Sequence, residues 1–150
     1  MCIIKNKNSD LSFFQKQLAK KLLVFVKGNK KLFQKTKNAE TLYITYGDVS
    51  EYFWNHRLGG RSLRIPAGYV SEFCMRHNLP PITAILCNIN TELPGLGFDE
   101  MFNNNNMNSV WSQNFWNWST LTSQNRKEKI HKIQTLIYKC ENWTELENNI

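Results

Sequence analysis

Long apolar runs are missing from this chain. Nothing in its 150 residues reaches the roughly 18–20 consecutive apolar side chains that cross a bilayer. The densest stretch near the N-terminus, Leu22 to Val26, is bracketed by Lys20, Lys21 and Lys27. It is shorter than a signal-peptide core and no small-residue cleavage site follows it. The expectation is a cytoplasmic, untargeted and complete chain with no membrane partner.

Cysteine is also sparse. Cys2, Cys74, Cys87 and Cys140 lie far apart and form no Cys-x-x-Cys pair. That spacing argues against a zinc site and against a secreted disulfide scaffold. Reduced thiols, some of them buried as small hydrophobes, are expected. Phosphate-binding loops are absent too: Gly95-Leu96-Gly97 lacks the Gly, Lys and Ser or Thr that must follow. There is no His-x-x-x-His and no calcium loop. His56, His77 and His131 fall on separate expected elements, and the only neighbouring acids are Asp99-Glu100. No metal and no cofactor are expected.

What is present is enough apolar material for one core. Apolar residues make up 41% and aromatic residues 13% of the chain, at a length typical of one domain. A single domain over 1–150 is expected. The net charge is +7, but it is lopsided. Residues 1–38 hold ten lysines against the single acid Asp10, and residues 39–150 hold nine bases against eleven acids. Lysines clustered on one segment attract polyanions.

Periodicity places the elements. Residues 9–27 read as a basic amphipathic helix, capped by Ser9 or Asp10 and stopped by Gly28. Phe14, Leu18, Leu22 and Val26 line its core side at i, i+4 spacing, with Lys16, Lys20, Lys27 and Lys30 on other faces. Residues 28–40 are polar and read as a loop or a frayed extension of the helix. Thr41 to Thr45 suggests a short strand. Thr45-Tyr46-Gly47-Asp48 offers a capping pattern for a helix from Tyr46 to about Trp54, with Val49 and Phe53 inward.

Gly59-Gly60 marks a tight connection, residues 61–65 begin another short helix, and Pro66 suits the first turn of a helix running to about His77. Residues 82–88 form an apolar run bounded by Pro81 and read as the clearest strand. Leu93 to Phe98 returns from a turn as its hairpin partner. Residues 103–108, with four consecutive asparagines, read as a flexible loop. Trp111, Phe115, Trp116 and Trp118 follow at near-helical spacing. Residues 123–140 form a C-terminal helix, capped near Ser123, with Ile130, Ile133, Leu136 or Ile137, and Cys140 on one face. Trp143 to Leu146 docks as a final turn.

The densest polar region is Trp54 to Arg64, which holds His56, Arg57, Arg61 and Arg64. Guanidinium groups near a helix start suit phosphate contacts, because they chelate phosphate oxygens.

Residues 44–98 resemble the DNA-binding module of alkylguanine-DNA alkyltransferases and of the catalytically dead alkyltransferase-like proteins. The family's Ser-Tyr-Gly-Glu-Leu-Ala is matched by Thr45-Tyr46-Gly47-Asp48-Val49-Ser50. Its Arg-Ala-Val-Gly-x-Ala-Leu is matched by Arg57-Leu58-Gly59-Gly60-Arg61-Ser62-Leu63. Its Val-Pro-Cys-His-Arg-Val-Val is matched by Leu79-Pro80-Pro81-Ile82-Thr83-Ala84-Ile85. Pro81 stands where that family has its alkyl-accepting Cys, and Ile82 and Thr83 replace the adjacent His and Arg, which excludes alkyl transfer. The resemblance implies a winged helix, with one helix in the major groove and a wing, here Asn88 to Gly97, on the backbone. The family's base-extruding Arg corresponds to Arg57 or Arg61.

The expected fold class is therefore α+β: a winged-helix-like core of short helices and a β-hairpin over 41–98, with amphipathic helices added at both ends. Three functions follow in order. The first is a non-enzymatic nucleic-acid-binding accessory protein, DNA ahead of RNA. It would use Tyr46, Arg57, Arg61 and Arg64 with Lys16, Lys20, Lys27 and Lys30. The second is a module that inhibits or neutralises one protein partner, of the phage or bacterial accessory type, through Trp111, Phe115, Trp116 and Trp118. The third is a small metal-independent nuclease with His56 as base beside Arg57 and Arg61.

Overall fold

The computed structural model describes residues 11–95 and 121–150. They are mostly helical, with one two-stranded parallel sheet, which places the chain in the α+β class. In chain order the elements are α1 (Phe13–Thr36), β1 (Ile44–Thr45), α2 (Tyr46–Trp54), a 3-10 segment (Arg57–Leu63) and α3 (Arg64–Arg76). A short 3-10 turn (Ile82–Ile85), β2 (Leu86–Cys87), α4 (Ser123–Lys139) and α5 (Thr144–Glu147) complete them.

Helix α1 starts at a capping box. Ser12 Oγ accepts from the Gln15 N–H at 3.3 Å, and the Ser12 N–H donates to Gln15 Oε1 at 2.8 Å. Ser12 is therefore the cap, and the expected caps Ser9 and Asp10 lie outside the described residues. The expected stop at Gly28 is corrected: the helix runs through it to Thr36 and ends at Lys37, with φ 59°. An interior glycine costs only about 1 kcal/mol against alanine. Packing beyond it outweighs that cost: Phe33 is buried and stacks on Tyr138 at 5.5 Å between centroids. Residues 28–36 therefore continue the helix, the extension rather than the loop of the two readings.

Helix α2 forms where expected. Thr45 Oγ1 accepts from the Asp48 N–H at 3.0 Å, and Asn55 closes the helix with φ 59°. Helix α3 carries Pro66 in its first turn and is capped at its C-terminus by His77, with Asn78 following at φ 59°. Helix α4 is capped near Ser123 as expected, by the adjacent Thr122. Its inner face includes Ile130, Ile133, Ile137 and Tyr138, while Leu136 is exposed. Trp143 and Leu146 dock as expected.

The strand expected at 82–88 is corrected. Residues Ile82–Ile85 form a 3-10 turn and only Leu86–Cys87 is strand. All these residues are buried, so the apolar run reported burial, not conformation. The turn's carbonyls find partners other than a strand: Ala84 C=O accepts from the buried Gln134 side chain at 2.9 Å. The expected hairpin partner, Leu93 to Phe98, lies partly outside the described residues. Strand β2 pairs in parallel with β1, Ile44 opposite Leu86 and Thr45 opposite Cys87. Asn88 to Leu93 closes a tight loop, with the Asn88 N–H on Leu93 C=O at 2.9 Å. No antiparallel pair occurs among the described residues, and residues 96–98 lie outside them. The Asn-rich stretch 103–108 also lies outside the described residues.

The core gathers the inner faces of α1, α3 and α4 around the 3-10 turn, with Tyr138 Oη donating to Leu42 C=O at 2.8 Å. Cys74 and Cys87 sit within it, and burial pushes both thiols up to about 12. Neither is a thiolate at neutral pH. Iodoacetamide labelling read by mass spectrometry is expected to leave Cys74 and Cys87 unmodified in the folded protein and to modify both in denaturant. No described helix is long and apolar enough to cross a membrane.

Candidate functional site

Two cationic surfaces emerge. The first is on α1, whose 24 residues hold seven lysines and no carboxylate. At about 100° per residue, Lys16, Lys20, Lys27, Lys31 and Lys35 fall within a sector of roughly 100°. The sector opposes the buried face of Leu18, Leu22 and Val26. Neighbours at i, i+4 in this stripe are like charges, each pair costing the helix roughly 0.2–0.5 kcal/mol. Part of the charge is answered internally. Lys27 pairs with Glu147, and Lys30 donates to Cys140 C=O at 2.8 Å, so both tie α1 to the C-terminal segment. Lys21 lies 4.1 Å over the Tyr52 ring. Lys16, Lys20, Lys31 and Lys35 have no carboxylate partner among the described residues.

The second surface is the 3-10 segment and the start of α3. Ser50, fully buried, fixes it: its hydroxyl donates to His56 C=O at 2.5 Å and accepts from the Gly59 N–H at 2.8 Å. Leu63 is the segment's inward anchor. In a 3-10 helix residues three apart eclipse, so Leu58 and Arg61 share one edge, and Arg64 follows at the first residue of α3. All three are exposed, and Arg61 and Arg64 have no carboxylate partner among the described residues.

The structure does not use every expected residue in the same way. Arg57 is braced internally: its guanidinium contacts Asp48 at 2.9 Å and Glu51 at 3.5 Å. Burial pushes the Asp48 carboxyl up, but hydrogen bonds from Arg57 and Thr45 outweigh this and hold it below its usual value. The Arg57 guanidinium also crosses Gly47, where an added Cβ would sit 2.8 Å from Nη2. Tyr46 is mostly buried, its hydroxyl accepting the Gly95 N–H at 2.7 Å, and burial raises it to about 12. It supports the site from beneath.

His56 caps its own segment, Nδ1 accepting from the Leu58 N–H at 3.3 Å, with its ring stacked on Trp54. Nδ1 is therefore engaged in the cap. Among the described residues no group of three or more His, Cys, Asp or Glu could hold a metal. Trp111, Phe115, Trp116 and Trp118 lie outside the described residues.

An aromatic ladder joins the two surfaces. Phe14 of α1 stacks on Trp54 at 5.7 Å, and Trp54 on His56 at 6.5 Å. The N-terminal half of α1 thus abuts the start of the arginine edge. Sequence reasoning missed Lys31 and Lys35, whose i, i+4 register with Lys27 signals them once Gly28 is allowed inside the helix. It also missed exposed Leu58 and Ile65, for which no sequence signal exists. No known protein family, curated protein or solved structure matches the chain.

Proposed function

We propose that this chain is a non-enzymatic nucleic-acid-binding protein whose first partner is duplex DNA. The observation that carries the reading is the lysine stripe of α1, a 24-residue helix without a carboxylate, in which Lys16, Lys20, Lys31 and Lys35 lack a carboxylate partner among the described residues. Placing like charges at i, i+4 costs helix stability that a polyanion returns by neutralising them. Arg61 and Arg64 add planar groups suited to phosphate oxygens. Arg57, Lys27, Lys30 and Tyr46 serve as supports, not as contacts.

A winged-helix-like, alkyltransferase-like character for 44–98 belongs to the same proposal. Its support is that Gly60 of the second matched segment and Gly95 of the following turn both meet Tyr46 of the first. An added Cβ on Gly60 would lie 3.1 Å from Tyr46 Cβ, and the Gly95 N–H binds the Tyr46 hydroxyl. The wing is the part without support, since β2 pairs in parallel with β1.

A fluorescence titration with a generic labelled duplex tests the function. Binding that weakens by about tenfold or more when salt rises from low to moderate is expected. Absence of binding even at low salt overturns the reading.

A further inference from the structure

We propose that Leu58 and Ile65 are wedges that enter the base stack of a bound duplex, so that this protein kinks DNA as well as holding its backbone. The inference rests on the nucleic-acid reading above.

Leu58 is 91% exposed and Ile65 73% exposed. An isolated surface apolar residue is ordinary, but these two bracket one cationic edge. Leu58 eclipses Arg61 along the 3-10 segment, and Arg64 and Ile65 follow at the start of α3. Tyr69, one turn beyond Ile65 on the same side of α3, is half-exposed.

A wedge must be stiff. The Leu58 N–H is held by His56 Nδ1, the Gly59 N–H by buried Ser50, and Leu63 is sealed in the core. The backbone is pinned from inside while the side chains stand in solvent.

Charge selects the occupant. No Asp or Glu occurs from Tyr52 to Ser71, and Arg61 and Arg64 lie within that span without a carboxylate partner among the described residues, Arg57 being answered by Asp48 and Glu51. A second copy of the chain would present the same positive edge and be repelled. A duplex supplies phosphates for Arg61 and Arg64 beside an apolar base stack for Leu58 and Ile65. Minor-groove architectural proteins use this division of labour, apolar side chains unstacking a base step and basic ones holding the strands.

The test uses the full chain with a duplex carrying 2-aminopurine and end-labelled for energy transfer. The wild-type protein is expected to raise 2-aminopurine emission and shorten the end-to-end distance. It should also prefer a mismatched duplex over a matched one by about tenfold, because unstacking is already part-paid there. The Leu58→Ala/Ile65→Ala variant, checked for folding by thermal melting, should bind matched duplex within about threefold of wild type, since its cations are intact. It should lose the emission change, the bend and the mismatch preference. Binding by wild type without either optical change overturns the wedge and leaves the nucleic-acid reading standing. Signals that persist in the double variant overturn the assignment to these residues. No binding at all overturns the reading beneath both.

Discussion

Changing Arg61 and Arg64 together to alanine is expected to lower duplex affinity by about a hundredfold, taking roughly a decade for each lost charge-assisted phosphate contact. Both side chains are exposed and lack carboxylate partners among the described residues, so their loss should leave the thermal melting temperature nearly unchanged. Arg57→Ala behaves in the opposite way. It leaves Asp48 and Glu51 facing each other without their shared cation, so its effect should fall on folding before binding. A titration and a melt on each variant separate the two roles. Equal binding losses for Arg57→Ala and the double variant, with unchanged melting, would contradict the division between brace and contact.

Gly59→Ala should be among the most damaging small substitutions in the chain. A Cβ there would lie 2.6 Å from Trp54 Cε3 and 2.8 Å from Ser50 Oγ. Neither neighbour can yield easily. Trp54 is stacked on Phe14 and His56, and the Ser50 hydroxyl holds His56 C=O and the Gly59 N–H. Overpacking of this kind costs about 1–3 kcal/mol, and loss of the Ser50 hydrogen bonds adds to it. Because the clash sits under the Leu58–Arg61 edge, duplex binding should fall with stability. Gly28→Ala is the matched control. Nothing lies within 4 Å of its added Cβ, and it stands inside α1. It should stabilise the protein by about 0.5–1 kcal/mol. Chemical denaturation of both variants reads the two signs directly. A neutral Gly59→Ala would mean that the 3-10 segment is not pinned as described.

The elements that the sequence made legible are those with local signals. The Thr45 cap and Asp48 announced α2, and Pro66 with Asn78 bounded α3. The second half of α1 was not legible, because Phe33 holds it through Tyr138, a residue from the other end of the chain. Residues 82–88 misled for a related reason. A buried apolar run reads alike as strand or turn, and the Gln134 contact that settles Ala84 comes from α4. That Leu86–Cys87 pairs in parallel with Ile44–Thr45 had no local signal, since the two lie about forty residues apart.

The site shows the same split. The basic character of α1 and the gathering of arginines at 57–64 were visible in the residues. The neutralisation of Lys27 by Glu147 and the use of Lys30 by Cys140 were not, since those partners are 120 and 110 residues away. The exposure of Leu58 could be known only from the fold.

The most direct test is the salt dependence of duplex affinity for the wild-type chain and for one in which Lys16, Lys20, Lys31 and Lys35 are all glutamine. If the stripe lies on the phosphate backbone, the slope of log K against log salt should be shallower in the variant by about three to four units, close to 0.9 for each released counterion. Equal slopes for the two proteins would contradict the claim that the α1 stripe is the nucleic-acid surface.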